Sequence, residues 1–211
     1  GVQTCALPIL SDAEGRVRRR AALALGRVGL PDAIPALQQA LQDQEPEVRQ
    51  MAAFALGLIG DRAARESLVM ALADPNQTVQ GRAAEALGAI GSREDAAAIG
   101  QMVTRHLREG ALSTMPPDDL RPATTPAAEA VRLGLYALAR LGASDVILSV
   151  TVNPDGSPVS RWWPVAFTLA RANVPAAAPA LRALVETPGR YRSEEHTSEL
   201  QSHLNLVCRL L

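Results

Sequence analysis

Apolar and polar positions alternate along the chain with helical spacing. In the first clear block, Val17, Ala21, Leu25 and Val28 fall at i, i+4, i+8 and i+11, which places them on one stripe of an α-helix. Ala22 and Gly26 lie beside that stripe, small enough to let a second backbone come close. Gly29, free to adopt positive φ, ends the helix. Asp32 is placed to cap a second helix, Pro35 falls in its first turn, and Ile34, Leu37 and Leu41 form its apolar face. The block reads as an antiparallel helical hairpin.

The block recurs. Val17, Val48 and Val79 each open the same run of Ala-Ala, Ala-Leu-Gly and a closing Gly, at steps of 31 residues without insertion. The same register carries Asp12, Asp43 and Asp74, then Leu37, Leu68 and Ile99, then Leu41, Leu72 and Val103. One hairpin cannot bury both of its apolar faces, but stacked neighbours can, so the predicted fold is all-α: an α-solenoid of about five hairpins. Regular units occupy 12–103. Residues 104–126, rich in Pro, Thr and Asp, read as a long loop. Irregular units follow over 127–191: Leu138 and Gly142 match Leu25 and Gly29 at an offset of 113, and Val174 to Leu181 match Leu30 to Leu37 at an offset of 144. Residues 146–152 suit a second helix, although their β-branched residues before Asn153, Pro154, Asp155 and Gly156 also permit a strand and turn.

The two ends do not share this pattern. Residues 192–211 resemble the conceptual translation of a common short-read sequencing adapter, and residues 1–9 the reading of its reverse complement. Both runs are therefore expected to be artefactual, leaving 10–191 as the repeat domain of a metagenomic fragment truncated at both ends. The chain has 21 basic and 22 acidic residues; without Arg192, Arg209, Glu194, Glu195 and Glu199, 19 of each remain. Cys5, Cys208, His196 and His203 also fall in the excluded runs, so 10–191 holds no Cys and one His, His106. All basic residues are Arg. Aromatics make up 3% of the chain. No apolar run approaches the ~20 residues that span a bilayer. Localisation stays open, with the cytoplasm favoured.

The Asp, the Val-Arg pair behind it and the Ala-Ala-x-Ala-Leu-Gly-x-Ile-Gly pattern resemble HEAT repeats of the bacterial, phycobilisome-lyase-like type, closely over 12–103 and loosely over 127–187. The resemblance implies a ladder of Asp and Arg linking successive turns, carried here by Asp12 with Arg18 and Asp43 with Arg49. In the third unit Gln80 stands where the Arg would be. The resemblance also implies a curved stack whose second helices line the concave side and bind proteins, and the scaffold it describes has no chemistry of its own. The alternative it allows is an accessory or phycobilin-lyase-like module, or a repeat region fused to a catalytic domain such as a peptidyl-prolyl isomerase. Some HEAT-like enzymes, deoxyhypusine hydroxylase among them, hold iron through repeated His-Glu pairs; no such pair occurs in 10–191.

Chemistry-bearing residues are few. His106 has no second His or Cys with which to build a metal shell, so it is expected to be a surface or loop-packing residue, and neither metal nor cofactor is expected. Arg16, Arg18, Arg19 and Arg20 form a basic cluster, but their equivalents in the next unit include Gln50 and Met51, so no phosphate-tracking stripe forms and nucleic acid is not an expected partner. Trp162 and Trp163 diverge by roughly 100° around a helix. Either both rings are core, or one fills the core while the other, with Trp162 the candidate, is an exposed protein-binding anchor. Subtracting core positions from the second helices leaves Gln38, Gln39, Gln42, Glu66, Met70 and Gln101, mostly uncharged amides beside a flexible Met, which suit a protein or peptide partner. The truncated ends are expected to expose helix faces and to favour self-association.

Overall fold

The computed structural model describes residues 8–113, 115, 123 and 125–186. Most of the two terminal runs and the middle of the Pro-rich segment lie outside the described residues. Five helical hairpins follow one another: α1 (Gly15–Val28) with α2 (Ile34–Ala40), α3 (Pro46–Ile59) with α4 (Arg65–Ala71), α5 (Gln77–Ile90) with α6 (Ala96–Arg108), α7 (Pro126–Arg140) with α8 (Ser144–Thr151), and α9 (Trp163–Ala172) with α10 (Ala178–Glu186). The architecture is the α-solenoid that the 31-residue period predicts. Gly29, Gly60 and Gly91 stop α1, α3 and α5 in the left-handed conformation at φ 74°, 73° and 83°, each donating its N–H to a Leu carbonyl four residues back.

Odd-numbered helices stack directly on one another, and small residues make that possible. A Cβ built on Gly26 would lie 2.6 Å from the Ala55 Cα, one on Gly57 2.8 Å from the Ala86 Cα, and one on Gly88 2.7 Å from the Ala137 Cα. The backbones thus meet through glycine and alanine, and the apolar stripe of each odd helix turns toward its even partner. Leu25, Leu37, Leu56, Leu68, Leu87 and Ile99 are buried in one continuous core.

Several local expectations need correction. Asp32 does not open α2: it lies in a 3₁₀ turn, Pro31–Ala33, and α2 begins behind Ala33 without a side-chain cap. In the second unit the cap belongs to Asp61, whose side chain accepts the Ala63 N–H at 2.8 Å. Val28 is 45% exposed, because α1 has an odd-numbered neighbour, α3, on one side only among the described residues. The loop expected from 104 starts later, since α6 runs through Arg108: Met102, Val103 and His106 keep an apolar-facing stripe going. Residues 146–152 are helical up to Thr151; Val152 then bridges Pro158 around a turn at Asn153 to Gly156, so helix and turn occur in sequence.

Ion pairs clip the units together. Arg18 donates to both carboxylate oxygens of Asp43 at 2.7 and 2.8 Å, and Arg49 does the same to Asp74 at 2.7 and 2.9 Å. The arginine of one unit therefore pairs with the aspartate of the next. With the aspartate six residues behind it, it shares only the backbone carbonyl: Arg18 to Asp12 and Arg49 to Asp43, each at 2.8 Å. The bond from Arg18 holds the Asp43 carboxyl below the ordinary carboxylate range, despite the opposing effect of burial. A second clip joins the even side, where Arg65 Nε donates to Asp95 at 2.8 Å.

Candidate functional site

Even-numbered helices present the residues singled out from the sequence. Gln39 on α2, Met70 on α4 and Gln101 on α6 are exposed and stand 31 residues apart in one register position, so equivalent units aim them the same way. Met70 is 70% exposed, which is unusual for so large an apolar side chain. Glu66 is exposed one turn before Met70. Gln42 is exposed and, with Gln39, Ser11 and Asp43, lines a recess of about 320 Å³.

Gln38 has a different role. It is half-buried, and its Nε2 donates to the Ala63 carbonyl of the next unit at 2.9 Å, so it staples α2 to its neighbour.

Gln101 stands at a cleft of about 680 Å³ between α6 and α8, with a floor of Gly100, Val146 and Val150 and a rim of Thr104, Arg105 and Ser149. Gly100 makes this seat possible, since a Cβ there would come 2.5 Å from the Val146 Cγ1. A second recess of about 580 Å³ shares Thr104, Arg108, Ser149 and Val150 with it. The two volumes form one polar-rimmed, apolar-floored trough along the even helices, the form that suits a peptide segment or side chain.

Trp162 does not belong to this surface. It is 1% exposed and precedes α9 as its N-cap residue in extended conformation. At the offset of 144 it occupies the register position of Arg18, the ladder arginine of the first unit. Trp163 is half-buried, its ring centroid 6.3 Å from that of Phe167.

His106 is neither on the surface nor in the loop. It lies on α6, 1% exposed, with Nε2 2.6 Å from Gln80 Oε1. Gln80 holds the ladder position and repeats half of its bonding, Nε2 donating to the Asp74 carbonyl at 2.5 Å. Where a partner aspartate would follow 31 residues after Asp74, the chain has Arg105, which donates to the Leu72 carbonyl at 2.9 Å. Burial, reinforced by the Arg105 charge and opposed by Glu109, pushes the imidazole below the ordinary histidine range, and its Nδ1 is buried without a hydrogen-bond partner. Among the described residues no group of His, Cys, Asp and Glu could hold a metal, and no helix is long and apolar enough to cross a membrane.

The odd-numbered helices hold what sequence reasoning missed. Phe54, Tyr136 and Phe167 occupy one register position at the offsets above, all half-buried. The Arg82 guanidinium lies 5.4 Å from the Phe54 ring centroid and that of Arg132 5.3 Å from Tyr136, while Tyr136 meets Phe167 edge-on at 5.3 Å. The shared register was available as a signal, but only once the offsets of the irregular units were applied beyond the core positions.

Comparison with solved structures agrees with this geometry at the level of fold. The chain superposes on a chain of the CpcE and CpcF complex of phycocyanin lyase from Nostoc sp. PCC7120 with a TM-score of 0.56 and 20% identity, covering 99% of this chain and 94% of that one. It superposes on a designed armadillo repeat protein with a TM-score of 0.55 and 16% identity, covering 96% and 98%. An engineered protein gives 0.53 at 19% identity, covering 97% and 94%. No curated protein matches the sequence. The family model for HEAT repeats matches residues 6–88 and 36–113, overlapping stretches that together span half of the chain, and the chain belongs to the HEAT-repeat family.

Proposed function

We propose that this chain is a scaffold whose even-helix face binds a protein partner. The observation that carries the reading is the column of Gln39, Met70 and Gln101, exposed at one register position on three successive units and ending at the trough between α6 and α8. Amides and a thioether offer adaptable contacts without the desolvation cost of charges. The chemistry present elsewhere supports binding over catalysis: the one buried titratable imidazole is bonded to a structural amide, with no nucleophile against it.

Site-specific photo-crosslinking tests the proposal. A benzophenone amino acid placed at Gln39, Met70 or Gln101 is expected to yield the same adduct from the native cellular background at all three positions. At Leu58, 47% exposed on α3 of the other layer, it is expected to yield none of that adduct. The same adduct at equal intensity at Leu58, or no adduct at any of the three column positions, overturns the reading.

A further inference from the structure

The near-equality of acidic and basic residues conceals a division of charge between layers. Odd-numbered helices carry ten arginines and three carboxylates, Glu47, Glu85 and Glu129, while even-numbered helices carry four arginines and three carboxylates. Arg18 and Arg49 are neutralised by the ladder, Arg82 by Glu85, Arg132 by Glu129, and Arg16 by Glu14. Arg19, Arg20, Arg27, Arg140 and Arg171 remain, exposed and without an ion pair among the described residues. The only carboxylate on the odd helices left to oppose them is Glu47.

Position and surroundings define what this face fits. Arg27, Arg140 and Arg171 lie in the last turns of α1, α7 and α9 at equivalent register positions. The helix dipole favours cations there. It does not account for Arg19 and Arg20, which stand in the middle of α1. Between these two basic ends, the second unit presents Leu58, 47% exposed, and half-buried Met51 and Phe54. The pattern is basic, apolar, basic. A phosphodiester backbone needs cations unit after unit, and here Leu58 and Ala89 interrupt the row of Arg27. The aromatic rings are engaged with guanidiniums and with one another, so they are not free platforms for bases. Guanidinium forks match carboxylates in a bidentate way.

We infer that the odd-helix layer is a second docking surface, separate from the even-helix column, and that it takes an acidic protein segment whose carboxylates engage the two arginine groups across the second and third units between them.

Fluorescence anisotropy with labelled polyglutamate tests this at two salt concentrations. The doubly substituted Arg20→Glu/Arg27→Glu protein is expected to bind it about tenfold more weakly than the unaltered chain, a loss equal to one charge-assisted hydrogen bond. Arg20→Gln/Arg27→Gln should fall between the two. Arg62→Glu/Arg182→Glu, at exposed positions off the odd helices, changes net charge by the same amount and is expected to leave binding within about twofold. An equal loss from the even-side pair, no loss from the odd-side pair, or tighter binding to random duplex DNA or to phosphatidylserine vesicles than to polyglutamate overturns the inference. Melting followed by circular dichroism confirms that each variant is folded before it is scored.

Discussion

Asp74 does two jobs with one carboxylate. Oδ1 accepts the Asn76 N–H at 2.7 Å, fixing the turn before α5, and both oxygens receive Arg49. Its side chain is 9% exposed and that of Arg49 12%, so removing the carboxylate strands a largely buried cation. Breaking a fully buried pair costs about 3–5 kcal/mol, and partial exposure reduces this. Asp74→Ala is expected to lower the unfolding free energy in urea by about 2 kcal/mol, with Asp74→Asn losing less because it keeps an acceptor for Asn76. Equal losses would mean that the acceptor for Asn76 contributes nothing and that the lost charge accounts for the whole effect. His106 gives the second prediction at this scale. Its pKa is depressed in the folded chain, so the unfolded chain binds more protons between the folded value and the ordinary ~6.5. Stability is therefore full above about pH 6.5 and falls as pH drops below it, by up to about 1.4 kcal/mol per pH unit, levelling off below the folded value. Thermal melts of the unaltered chain and of His106→Gln across this range should diverge on the acid side, and parallel curves would refute the linkage. The break in the ladder at Gln80 was legible in the sequence. What fills it was not, because treating 104–126 as loop hid the extra helical turn that carries His106 inward.

Helices meet here at distances set by missing atoms. Gly57 to Ala substitution would place a Cβ 2.8 Å from the Ala86 Cα, a contact that only a backbone shift can relieve. Alanine is the better helix former by about 1 kcal/mol, but overpacking typically costs about 1–3 kcal/mol and the neighbour is main chain. Gly57→Ala is expected to be destabilising, with a lower urea midpoint; a raised midpoint would show that α3 and α5 can separate freely. At this scale the sequence was highly readable. An exact 31-residue step repeats the same stripe, small residues and terminating glycine, so each call for a hairpin rests on agreement among copies. Legibility failed where that support lapsed: Asp32, whose turn is 3₁₀ rather than a cap, and Trp162, which takes the Arg18 register position in a unit where α9 begins late and is buried there.

At the scale of the molecule, net charge proved a poor guide to surface character. Balanced totals say nothing of how charge is distributed: an α-solenoid sorts residues by helix, and sorting separates what composition averages. The column at Gln39, Met70 and Gln101 could be read in advance because subtraction of core positions from a regular repeat leaves the exposed ones. The trough beside it could not, since it depends on how α8 seats against Gly100 after an irregular connection. The ladder adds a direction to the whole. Each arginine reaches forward to the aspartate of the following unit and backward to a main-chain carbonyl, so one 31-residue block carries a complete donor and a complete acceptor. A duplicated block inserted in frame between the first and second units would find both bonds waiting and close-packing alanines on either side. The regular part of this chain is thus written in a form that can lengthen by copying, and the span of its two helix layers is a variable that gene duplication can set.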